Sequence, residues 1–200
     1  MKVEMHCHTS RYSACAVNTP QELMREFVRT GYQVVYITEH MTLWPRQELE
    51  QLRAEFPQLK IFPGIEWTVS ADPLQHVVIL GADNPAYLTI GHWRECLQLA
   101  RAEGHLTVLA HPFRWEGAGN VLAGQDLPDA IEYHTCNQQG EPSRVALEAA
   151  TRLKLPLVNA GDTHGLHFIN RFYIQTAPPV EQPNDIRQII LAGEYRNEGQ

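Results

Sequence analysis

Apolar, β-rich runs alternate with amphipathic stretches along almost all of the 200 residues, and this alternation limits the fold more than any other feature. Strand-like segments are KVEMHCH (2–8), QVVYITEH (33–40), KIFPGIEWTV (60–69), HVVILGA (76–82), HLTVLAHPF (105–113), DAIEYHT (129–135), LPLVNAGDTH (155–164) and RFYIQTA (171–177). Helical patterns fall between them at 19–31, 45–56, 85–104, 141–153 and 183–194. The first helix carries Thr19 as N-cap, Pro20 at the first helical position and Gly31 as its stop. Strand–helix alternation with apolar strands predicts parallel strands buried by outer helices, as in a barrel or a doubly wound sheet. No repeat, linker-like tract or low-complexity segment interrupts residues 1–200, so a single domain is expected.

The polar residues fall at one place in this pattern. His6 and His8 end the first strand, Glu39 and His40 the second, and Glu66 the third. His111 follows LTVLA, His134 follows AIEY, and Asp162 with His164 follows PLVNA. In parallel α/β folds the C-terminal ends of the strands are where loops open and active sites are assembled. Histidines kept for packing have no reason to gather there. Neutral imidazole and carboxylate suit Zn, Mn or Fe, whereas thiolates would point to a closed zinc site. The set exceeds what one tetrahedral ion needs, so two or three ions are expected. Paired ions about 3.5–4 Å apart clamp both oxygens of an in-line displacement, which makes phosphate ester hydrolysis the natural reaction.

The bulk properties narrow the partners. A net charge of −7 and a pI near 5.8 argue against binding a phosphate backbone or an anionic membrane surface. A small phosphorylated substrate held by metal ions remains compatible, and no stable nucleic-acid complex is expected. Cys7, Cys15, Cys96 and Cys136 are scattered without a CxxC pair, which suits a reducing cytosol better than a disulfide framework. Met1 leads directly into a strand and no apolar run approaches a membrane span. A cytoplasmic location with no membrane contact is therefore expected.

The motifs HCHTSRYS (6–13), ITEH (37–40), GIEW (64–67), HVVILG (76–81), AHPFR (110–114) and AGDTH (160–164) together resemble the PHP family, the polymerase and histidinol phosphatase domain, as a small stand-alone member. They occur in the family's order and cover residues 3 to about 177. The resemblance implies a distorted seven-stranded β/α barrel of TIM-like form, with HVVILG either an added antiparallel segment or one of the seven. It also implies a first metal on His6, His8, Glu66 and Asp162, and a second on Glu66, His76 and His111, with Glu66 bridging. A third would use His40, His164 and a residue that is Ala14 in this chain, which has no ligand atom. Cys15, Ser13 and Glu39 are the neighbours able to compensate; failing that, His40 and His164 would serve as unmetallated proton or phosphate donors.

Other candidates are weighed singly. His134 is expected to donate a proton or touch substrate from its strand end. Arg114, three residues past His111, is placed to fork onto a phosphate oxygen; Arg11 and Tyr12 are similar candidates in the first loop. His167 is a weaker substrate contact, and His92 and His105 lie at the wrong end. The leading expectation is a metal-dependent phosphoesterase in which a metal-bound hydroxide attacks phosphorus and His134, His40 or His164 protonates the leaving oxygen. The substrate would be a small-molecule or nucleotide phosphate ester. An amidohydrolase-type C–N hydrolase also opens with HxH on a barrel strand. It often bridges its metals with a carboxylated lysine, and Lys2, Lys60 and Lys154 all precede or begin strands. A non-catalytic metal-binding PHP domain is the third reading, and only one ligand position has been lost.

Overall fold

The computed structural model describes residues 1–116 and 118–199. Nine strands form one sheet: β1 (Lys2–Glu4), β2 (Val34–Ile37), β3 (Lys60–Ala71), β4 (Leu74–Leu80), β5 (Leu106–Ala110), β6 (Ala130–Glu132), β7 (Leu157–Val158), β8 (Phe172–Thr176) and β9 (Tyr195–Gly199). Five α-helices lie among them: α1 (Pro20–Arg29), α2 (Arg46–Glu55), α3 (Trp93–Glu103), α4 (Glu141–Leu153) and α5 (Asp185–Ala192). The spatial order is β7-β6-β5-β4-β3-β2-β1-β8-β9.

The sheet curls into a nearly closed barrel, and its ends meet in two ways. Towards the C-terminal ends of the strands, Cys7 and Thr163 form a parallel bridge: His8 N–H donates to Thr163 O at 2.8 Å and Thr163 N–H to His6 O at 2.9 Å. Elsewhere along this seam β8 and β9 occupy the gap between β1 and β7. There Asn197 Oδ1 accepts the Asn159 N–H at 2.7 Å, its Nδ2 donates to Leu157 O at 2.8 Å, and the Tyr195 hydroxyl donates to the same carbonyl at 2.7 Å. Side chains close the seam where no ladder does.

The expected barrel is present, but with nine strands instead of seven. HVVILG is β4, antiparallel to both β3 and β5 in a long hairpin, and β8 and β9 are also antiparallel additions. β9 follows α5 in a polar stretch, YRNEG, that carries no strand-like apolar period. The helix expected over 85–104 is instead a 3₁₀ turn (Pro85–Leu88) and α3, each with its own cap, from Asn84 and from the His92 ring. α1 has the full capping box, Thr19 with Glu22.

Along β2, Val34 and Tyr36 face the barrel interior while Val35 and Ile37 face the α1–α2 layer. The interior cluster also takes Ile186, Ile189 and Ile190 from α5, so that helix plugs one end of the barrel. α3 and α4 cover the outer face of β3–β6 with Leu97, Ala100, Ala146 and Ala150. Plugging one end leaves the other for the polar residues.

Candidate metal centre

β1, β2, β5, β6 and β7 stop short of the residues the sequence places at their ends, whereas Glu66 lies within β3. β1 ends at Glu4 and β6 at Glu132, so His6, His8 and the chain beyond Glu132 leave the ladder and turn inward or away individually. Three residues in or beside the cluster hold positive φ: Met41 (45°), His111 (29°) and Asp162 (49°). Such conformations in non-glycine residues persist only where their surroundings over-determine them.

Glu66 lies at the centre. Its Oε1 is 3.0 Å from His111 Nε2, 2.9 Å from His76 Nδ1 and 3.5 Å from His6 Nε2; its Oε2 is 2.7 Å from His40 Nδ1 and 3.2 Å from His8 Nε2. Asp162 Oδ1 approaches His6 Nε2 at 3.4 Å and His164 Nδ1 at 3.4 Å. His6 Nε2 and His8 Nε2 are 3.0 Å apart. Two ring nitrogens each about 2.1 Å from one ion, at roughly 90°, would have this separation. Donor atoms within 4.8 Å of one another form four groups: His6, His8 and Glu66; His6, His111 and Asp162; His40, Glu66 and His76; His8, His40 and His164.

A test of fit comes from atoms left without partners. Among the described residues, Glu66 Oε2, His76 Nδ1, His111 Nδ1 and Asp162 Oδ1 are buried and make no hydrogen bond. Buried polar atoms cost about 1–3 kcal/mol each when unpaired, so the three facing the centre, Glu66 Oε2, His76 Nδ1 and Asp162 Oδ1, demand a partner there, while His111 turns Nε2 towards Glu66. Two buried carboxylates ringed by imidazoles fit divalent cations.

The surrounding shell presents these atoms. His6 Nδ1 bonds Glu132 Oε1 at 2.7 Å, which fixes that nitrogen as the donor and turns Nε2 to the centre. The other Glu132 oxygen accepts the His111 N–H at 2.7 Å. His8 Nδ1 meets the Ser13 hydroxyl at 3.2 Å, and that hydroxyl donates to Glu39 Oε2 at 2.5 Å. Asn137 Nδ2 donates to Asp162 Oδ2 at 2.7 Å. Charge is shared accordingly. Burial opposes ionisation of His6, yet Asp162, Glu132 and Glu66 hold its pKa well above the ordinary imidazole range. Burial pushes the His8 pKa down to about 4. Glu66 is held well below the carboxylate range, against burial, by His6, His111 and His40.

The structure brings His6, His8, Glu66, His76, His111 and Asp162 together, with His40 and His164 on the open side. A cleft of about 370 Å³ exposes the cluster between Trp115, Arg114, Leu74, Asn137, Phe168 and Cys15. Arg114 stacks on Trp115 at 4.7 Å and has no ion pair among the described residues. The third group gains His8, whose ring stacks at 4.4 Å on both His40 and His164, which the sequence did not anticipate.

Three of the expected residues lie apart from the cluster's open side or are otherwise engaged. His134 does not line this cleft: its Nδ1 bonds Ser143 of α4 at 3.0 Å and its ring stacks on Phe172, because the chain turns outward after β6 ends. Arg11 pairs with Glu48 at 3.0 Å and lines a separate groove of about 670 Å³ with Thr19 and Trp44, drawn there by α2. Glu39 is no substitute ligand. Its oxygens are occupied by Thr9, Ser13 and the Trp44 indole N–H. Glu132 and Asn137, beside the cluster, were not anticipated, and Ser13 supports His8 rather than offering a ligand. Glu132 alone carried a signal, as an acidic residue ending an apolar strand.

No protein-family model and no curated protein matches this sequence. Solved structures do match. A two-domain protein from Bacteroides vulgatus containing a predicted PHP-like metal-dependent phosphoesterase superposes with a TM-score of 0.75 at 15% identity, over 100% of this chain and 65% of that one. A protein from Bifidobacterium adolescentis, assigned as a metal-dependent phosphoesterase, gives 0.64 at 16% identity over 94% of each chain. An amidohydrolase from Chromobacterium violaceum, with bound sulfate and no metal, gives 0.70 at 15% identity over 98% of each. The chain thus shares the fold of PHP-like proteins, and it spans about two thirds of the first protein's length. No helix among the described residues is long and apolar enough to cross a membrane.

Proposed function

We propose that this chain is a PHP-family phosphoesterase that hydrolyses a small-molecule or nucleotide phosphate ester with two, or with a third site filled three, divalent ions. The observation that carries this reading is the set of orphaned donor atoms around Glu66, opening on a cleft whose mouth holds an unpaired arginine. His6, His8, Glu66 and Asp162 would hold one ion and Glu66, His76 and His111 a second; His8, His40 and His164 offer a third position despite Ala14. Zn, Mn and Fe all suit these ligands. When bound, the ions supply Lewis acidity and a water acidic enough to ionise near neutral pH.

The remaining work falls to this chain's own groups. Arg114, unpaired and anchored on Trp115, binds a phosphoryl oxygen and orients the ester. Where His40 is not taken by an ion, its half-exposed ring holds a proton for the leaving oxygen at the open side, with Nδ1 set against Glu66. His164, with Nδ1 bonded to Asp162 O at 2.9 Å, presents Nε2 instead. Trp115 and Phe168 exclude water from the flanks of the cleft. A C–N hydrolase bridged by a carboxylated lysine is disfavoured: Lys2 bonds Thr30 O, and Lys60 pairs with Glu181, both away from the cluster.

The test is a panel of phosphate esters offered to metal-stripped protein and to protein reloaded with Mn, Fe or Zn. Turnover restored by at least one metal is the expected result. Inactivity of every reloaded form on phosphate esters, with hydrolysis of amide or cyclic amide substrates, would replace this reading with the amidohydrolase one.

A further inference from the structure

Beside the metal cleft lies a second cavity of about 270 Å³, lined by Cys136, Gln139, His167, Phe168, Arg171 and Phe172. Phe168 is the shared wall: it lines both spaces, with its ring 5.9 Å from His164 on one side and 4.4 Å from His167 on the other. The wall is anchored, since the Cys136 thiol donates to Phe168 O at 3.6 Å and the Arg171 N–H to the same carbonyl at 3.3 Å. Phe172 backs the cavity, stacked in turn on His134.

The charge of this cavity is unusual for the chain. The protein carries −7 overall, yet no carboxylate lines the cavity. Its polar groups include a guanidinium and an imidazole, and neither side chain makes an ion pair or hydrogen bond among the described residues. Seven of the twelve other arginines, Arg11, Arg29, Arg46, Arg94, Arg144, Arg187 and Arg196, each have a carboxylate partner. The guanidinium donors of Arg171 have no partner among the described residues and lie beside a space of ligand size, one aromatic ring away from the proposed reaction site.

We propose that this cavity is a subsite for a second anionic group, a carboxylate or a phosphate, carried on the leaving portion of the substrate ester. The substrate class becomes a phosphate ester with two anionic ends, one over the metal cluster and the other forked by Arg171 with His167 beside it. This rests on the phosphoesterase reading, but binding tests it apart from turnover.

The probes are three non-hydrolysable phosphonates of equal chain length: an alkylphosphonate, a phosphonocarboxylate and a bisphosphonate. Their binding to Mn-loaded protein is measured by calorimetry. At least one two-anion probe should bind about tenfold tighter than the alkylphosphonate, as expected for one charge-assisted contact. The stronger of the two identifies carboxylate or phosphate as the second group. Arg171→Ala should bring the ratio close to one, and Arg171→Lys should restore part of it. Thermal unfolding confirms that both variants are folded, as their exposed position predicts. Equal binding of all three probes, absence of binding, or a preference that survives Arg171→Ala overturns the subsite. A preference abolished by Arg171→Ala, in a protein that hydrolyses no phosphate ester, would keep the subsite and discard the phosphoesterase reading.

Discussion

Glu66 touches five imidazoles, from His6, His8, His40, His76 and His111, within 3.5 Å. A single neutralisation there should weaken more than one ion. Glu66→Gln is expected to lower metal content and turnover together; a variant that keeps both would remove the bridging role. Glu132 acts through others: one oxygen sets the His6 ring and the other holds the backbone N–H of His111. An amide at this position offers one carbonyl oxygen for two donors, and its NH₂ opposes whichever remains. Glu132→Gln should therefore weaken Mn affinity about 10–100-fold, read by titration of stripped protein. An affinity within about twofold of the parent would make Glu132 merely structural. His6 and His8 were legible in the sequence because residue type and strand end coincide. Glu132 was not assigned to the site, since its role depends on a ring 126 residues earlier.

At the scale of elements, the site depends on how β1 and β7 end. Gly161 is the residue where the chain from β7 crosses Glu4: a Cβ there would overlap both Glu4 Oε2 and Thr163 Oγ1. The Gly161 N–H also donates to Glu4 Oε1 at 2.8 Å, directly before Asp162 with its positive φ. Gly161→Ala should cost about 1–3 kcal/mol of stability in denaturant unfolding, as overpacking does, and should reduce metal content by displacing Asp162. Unaltered stability and metal content would show that the crossing relaxes freely. The existence of most elements was readable from apolar period and caps, but their ends were not. Strands drawn as 2–8 and 129–135 stop at Glu4 and Glu132, whereas Glu66 and His76 reach the centre from within the β3 and β4 ladders.

For the whole molecule, the seam between β7 and β9 is the place where closure rests on side chains. Burial pushes the Tyr195 phenol up to about 12 from 10.0. The protonated form is the one favoured in the folded barrel, where it donates to Leu157 O. Its contribution is whole below pH 10 and is lost as pH rises towards 12. Stability should therefore fall across that window, and Tyr195→Phe, which has no proton to lose, should show a slope shallower by about one proton. Urea midpoints measured as a function of pH decide this, and equal slopes would mean that Tyr195 does not couple ionisation to closure. Buried tyrosines elsewhere titrate in the same direction, so the slope should shrink without vanishing.

The sequence by itself determined the strand–helix alternation and the gathering of imidazoles and carboxylates at one end, because periodicity and residue type are local properties; the barrel, over a doubly wound sheet, was implied only by the PHP resemblance. Which of those residues converge was decided only in three dimensions. His134 and Glu132 lie two apart after one apolar run, yet Glu132 enters the cluster and His134 stacks outside it. The strand count also escaped the sequence: β9 has no apolar period, since it pairs at a side-chain-bridged edge instead of in a core. Arg11 was expected to reach a phosphate and Arg171 carried no expectation, and only packing pairs the first with Glu48 and leaves the second over an open cavity. Charge and pattern are written residue by residue, whereas burial and partnership exist only once distant segments meet.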